Sequence, residues 1–66
     1  MTDPQQAQLA SRFKKIFPNV PLGMRTDVIA VIDDRPMSWN VVYIEVNTGT
    51  AMAERILEYL DGLELI

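Results

Sequence analysis

No cysteine and no histidine occur among the 66 residues of this chain. The first absence removes disulfides and thiolate metal sites. The second removes the commonest transition-metal ligand and the side chain most often used as a general base. Glycine is scarce at three, and no apolar run approaches the roughly 18 residues that begin to suggest a membrane span. The opening segment "MTDPQQAQ" has neither a basic start nor an apolar centre, so it does not read as a secretory signal. Together these absences predict a cytoplasmic protein with no membrane partner and no cofactor, and not an enzyme.

What is present describes a folded chain, with 48% apolar and 23% charged residues. A chain this short buries only about 60% of the surface its unfolded form exposes. Without disulfides or metal, dense packing or oligomerisation has to supply stability. The net charge of -3 opposes general affinity for nucleic acid. The charge is nevertheless uneven. Residues 1 to 25 carry Arg12, Lys14, Lys15 and Arg25 against Asp3, whereas residues 26 to 66 carry eight acids against Arg35 and Arg55. The expectation is that the basic segment lies beside the acidic remainder, within one fold or across a dimer. Arg12, Lys14 and Lys15 form a weak basic patch, and nucleic acid is an unfavoured partner.

The elements expected are helices at about 4 to 17 and 50 to 61 and strands at about 27 to 33 and 38 to 46, in one domain spanning 1–66. Asp3 suits an N-cap, Pro4 the first helical position, and Gln6 the third, from which it can reach back to the cap. Leu9, Phe13, Ile16 and Phe17 recur at helical spacing. Pro18 ends that helix, and Val20 and Leu22 are placed to anchor the connector after it. Val28 to Ile32 is a β-branched run bounded by polar residues. Thr50 caps a final helix with Met52, Ala53, Ile56, Leu57, Leu60 and Leu63 as its apolar positions, and Gly62 is expected as its left-handed stop. The tail Leu63 to Ile66 either packs beneath that helix or adds as an edge strand.

The segment after Asp33-Asp34-Arg35-Pro36 admits two readings. Ser38 is a good N-cap, and Trp39, Val42, Tyr43 and Val46 fall at i, i+3, i+4 and i+7, as a helix requires. The octet "WNVVYIEV" is also strongly β-prone, and a lone strand at 28 to 32 would leave its backbone unpaired. The reading adopted is the strand: an α+β fold in α-β-β-α order, with a two-stranded antiparallel hairpin packed by two helices. In its register Ile32 faces Met37, Ala30 faces Trp39 and Val28 faces Val41. The alternative is a mostly helical chain with 39–46 as a Ser38-capped helix.

Chemistry-bearing clusters are few. Asp33 and Asp34, with Asp27 or Glu45, can be imagined around a hard cation, but a solvated turn is the plainer reading. Gly49 between threonines resembles an anion cradle yet lacks the lysine and long glycine loop of a phosphate motif. Ser38, Thr48 and Thr50 have no basic partner to activate them. The function expected is a protein–protein interaction module that associates with itself, as a homodimer, or with another protein. The candidate interface is Trp39, Val41, Val42, Tyr43, Ile44 and Val46, on the argument that two helices do not cover both faces of an apolar hairpin. A nucleic-acid regulator and a carboxylate-dependent enzyme or metal binder at Asp33/Asp34 are the alternatives.

Overall fold

A computed structural model describes residues 3–66; Met1 and Thr2, on which part of the amino-terminal reading rests, lie outside them. Asp3 caps the first helix as its sequence predicts, accepting the Gln5 amide at 3.0 Å, and Pro4 opens α1, Pro4–Ile16. Gln6 does not reach back to the cap. It is buried and donates instead to Glu58, 52 residues away, at 3.1 Å. Leu9, Phe13 and Phe17 are buried on the inner face, while Lys14 and Lys15 occupy the last turn, where cations suit the helix dipole. Two short 3-10 turns follow, Phe17–Asn19 and Leu22–Met24. Val20 anchors them in the core as expected, but Leu22 is 78% exposed. Arg25 fastens this connector: its guanidinium lies 4.6 Å from the centre of the Phe17 ring and donates to the Val20 carbonyl.

The hairpin is antiparallel, and both its second strand and its register differ from expectation. β1 is Val28–Ile32 and β2 is Arg35–Ser38. The loop contains only Asp33 and Asp34, with φ of 52° and 63°. Positive φ at both central residues is what a type I′ hairpin turn requires. Aspartate tolerates that region better than most non-glycine residues. The tight turn shifts the pairing, so that Ile32 faces Arg35, Val31 faces Pro36 and Ala30 faces Met37. An irregularity between Val28 and Ala30 places one extra residue on β1, and Ile29 there packs partly against the core.

Residues 39 to 48 are helix, which corrects the strand adopted above. α2, Trp39–Thr48, starts at Ser38, whose hydroxyl accepts the Val41 amide at 3.3 Å. It ends at Gly49 in the left-handed conformation, with the Gly49 amide donating to the Glu45 carbonyl. The strand reading rested on β1 needing a partner, and Arg35 to Ser38 already supply one through a two-residue turn. That frees the octet to follow its 3.6-residue periodicity over its β propensity. Thr50 then caps α3, Ala51–Gly62, with its hydroxyl accepting the Ala53 amide at 3.1 Å.

The left-handed residue after α3 is Glu64, with φ of 60°, and not Gly62, which lies within the helix. The Leu65 amide donates to the Leu60 carbonyl and the Glu64 amide to that of Asp61. These paired bonds are a Schellman closure. The tail therefore turns rather than forming a strand, and Ile66 returns to the core. Among the described residues the result is an α+β fold of three α-helices and one two-stranded antiparallel hairpin around a single core, with Phe13, Leu9, Ile56, Leu60 and Val42 fully enclosed. Burying each such side chain contributes about 1.5–3 kcal/mol. Among the described residues, no helix is long and apolar enough to cross a membrane.

Candidate interaction surface

Because 39–46 is a helix, the six residues expected at an interface split between two directions. Trp39, Val42, Tyr43 and Val46 lie on the inner face of α2. Trp39 stacks on Phe13 with ring centres 5.9 Å apart, Tyr43 stacks on Phe17 at 4.3 Å, and Val42 is fully enclosed. Val41 and Ile44 point outward, at 38% and 62% exposure. The Asn40 amide donates to the Arg25 carbonyl at 3.1 Å, so the exposed Leu22–Met24 turn is tied to the start of this helix.

A second exposed apolar surface follows from the geometry of α3. Ala53, Ile56, Leu57 and Leu60 face the core. Glu54 and Glu58 meet Gln6, and Asp61 pairs with Arg12 at 3.3 Å, so one flank of α3 belongs to α1. Arg55 lies on the other flank and grips Asp33 at the hairpin tip with two hydrogen bonds, one of 2.9 Å. Tyr59 and Leu63, at i+4 and i+8 from Arg55, continue that hairpin-side flank and are 41% and 52% exposed. Val28 and Val31 of β1 are exposed as well. Sequence reasoning missed this surface, although the i, i+4, i+8 spacing of Arg55, Tyr59 and Leu63 was available to it.

The hydrogen bond from Arg55, joined by the charges of Arg55 and Arg35 and partly opposed by lost solvation, holds the Asp33 carboxyl below the usual carboxylate range. Arg55 is shifted upward by the same hydrogen bond. A lowered carboxylate pKa means that the pair's contribution is present above the unfolded pKa and fades as the pH falls through the folded one. Both groups are solvated, so that contribution is small.

The remaining candidates are not assembled into sites. Arg12 is engaged by Asp61, and Lys14 lies about 200° around α1 from it. Lys15, three residues from Arg12, shares its side of the helix, while Lys14 faces another way. Among the described residues no three acidic groups gather as a metal site would require. Asp33 is held by Arg55, and Glu45 accepts from the Thr50 hydroxyl. Gly49 serves as the C-terminal cap of α2. A cleft of about 220 Å³ between Gln6, Ala10 and Lys14 of α1 and Ala53 and Leu57 of α3 is smaller than the roughly 300–1,000 Å³ of ordinary ligand pockets. Glu45 and Glu54 already place negative charge at the α3 N-terminus beside it. No protein-family model, curated protein or solved structure matches the chain, so its functional reading rests on its own geometry.

Proposed function

We propose that this chain is a small protein–protein interaction module that associates with itself. The observation that supports the reading is the display of large apolar side chains by a fold whose core is already closed. The accessible surface is 4407 Å², and a folded monomer of 7.5 kDa is expected to expose about 4,250 Å². Exposed Val28, Val31, Val41, Ile44, Tyr59 and Leu63 are thus not an unfinished core awaiting a partner. They are surface on a folded protomer, and apolar groups collected on two faces suit reversible contact. The net charge of -3 is too small to keep copies apart at physiological salt.

Sedimentation equilibrium between about 5 and 500 µM, the range in which an association worth about 6 kcal/mol becomes populated, tests this. The mass is expected to rise with concentration from 7.5 kDa toward twice that value. A constant 7.5 kDa across the range would overturn the reading.

A further inference from the structure

We infer that self-association, on the reading above, runs through the free edge of β1, two copies aligning antiparallel to form a continuous four-stranded sheet in the order β2-β1-β1-β2. In a two-residue hairpin the residues flanking the loop form a hydrogen-bonded pair, here Ile32 and Arg35, and the next pair, Val31 and Pro36, does not. On β2 the outward position is therefore held by a proline, which has no amide to offer, and that strand runs directly into α2. On β1 the outward position is held by Val31. Its amide and carbonyl point out of the ladder, and no other segment takes them up among the described residues. One edge is closed to a further strand and the other is open.

The occupant follows from self-complementarity. A backbone edge that presents an amide and a carbonyl at the same residue is matched by its own antiparallel copy, with Val31 exchanging both hydrogen bonds with Val31 of the second copy. Antiparallel pairing also carries Asp27 of each copy toward the other's hairpin tip, where Arg35 and Arg55 offset Asp33 and Asp34. Parallel pairing would instead set Asp27 against Asp27 and tip against tip. Tyr59 and Leu63 are exposed on the hairpin-side flank of α3, the helix that packs against β1, and offer further apolar area on that side. β1 is about 17 Å long, and with the adjoining flank of α3 it offers a face about 20 Å wide. Such an area belongs to the class of weak, reversible contacts, the strength set for the sedimentation range above.

The test compares the full chain with Val31→Lys, on the edge, and Ile44→Lys, on the outer face of α2. Both positions are more than half exposed, so both variants are expected to keep their fold by circular dichroism. Val31→Lys should weaken association by at least about tenfold, and Ile44→Lys should leave it unchanged. In the unmodified chain, protection of the Val31 amide from hydrogen exchange should rise with protein concentration, a readout that needs no variant. If the parent associates while the Val31 amide stays unprotected, or if Ile44→Lys is the variant that dissociates it, the β1 assignment fails and self-association stands. A parent that remains monomeric would leave the edge to a strand of some other protein and overturn both statements.

Discussion

Glu64 and Gly49 occupy the same kind of backbone position and are very differently suited to it. Both lie at left-handed φ, 60° and 74°, where they close helices α3 and α2. Only glycine enters that region without a steric cost from Cβ. Glu64→Gly is therefore expected to raise stability, and Gly49→Ala to lower it, each by about 1 kcal/mol, measured by urea denaturation. A Cβ added at Gly49 meets nothing within 4 Å, so the loss there comes from backbone conformation alone. A Glu64→Gly variant less stable than its parent would show that the tail does not hold its turn. The sequence suggested glycine 62 as the stop because glycine is the default left-handed residue. The choice actually depends on where the last apolar residues, Leu65 and Ile66, must be delivered, and a local rule does not see that.

Among the elements, α1 and α3 were legible because cap, apolar stripe and terminator agreed with one another. α2 was not, because two local signals conflicted and the deciding fact lay elsewhere in the chain. The Asp33-Asp34 turn uses two residues in a conformation for which glycine or asparagine is the usual marker. Reading it as a four-residue loop moved the second strand onto α2. The interface expected from the sequence was drawn on that strand; on the helix Val42 and Val46 are buried, Trp39 and Tyr43 pack partly buried against the core, and Val41 and Ile44 face outward, while the exposed residues of β1 and α3 went unread. The same distinction can be tested within α2. Val42→Lys places a charge at a fully enclosed position and should unfold the protein, whereas Val41→Lys, one residue along the helix at a partly exposed site, should cost less than about 1 kcal/mol. Circular dichroism melts compare them directly. Equal tolerance of the two substitutions would contradict the helical face assigned here.

For the molecule as a whole, the two oppositely charged segments of the sequence are joined by one ion pair among the described residues. The basic segment meets the acidic one where Arg12 pairs with Asp61, across 49 residues of chain. Solvated pairs of this kind contribute little energy, so the joint between α1 and α3 depends on burial of Leu9 and Phe13 in the core they share with Ile56 and Leu60 and on Gln6 reaching Glu58. Composition made a folded single chain legible but could not say which faces remain uncovered, since that depends on the angular placement of helices around the core.

The meeting of α1 with α3 has a consequence in time. The hairpin, α2 and α3 follow one another with no more than two residues between them, Asp33-Asp34 at one joint and Gly49-Thr50 at another. Their mutual contacts close short loops, whereas α1 must return across about fifty residues after the two 3-10 turns. Loop closure of that length is a late and entropically costly event. The carboxy-terminal two-thirds is thus expected to assemble first, with α1 docking after the transition state. Ile56→Val should then slow refolding, whereas Leu9→Val, with a similar loss of about 1 kcal/mol, should act mainly by speeding unfolding. Stopped-flow measurements on the two variants read the order directly, and a folding rate lowered equally by both would place α1 in the nucleus instead.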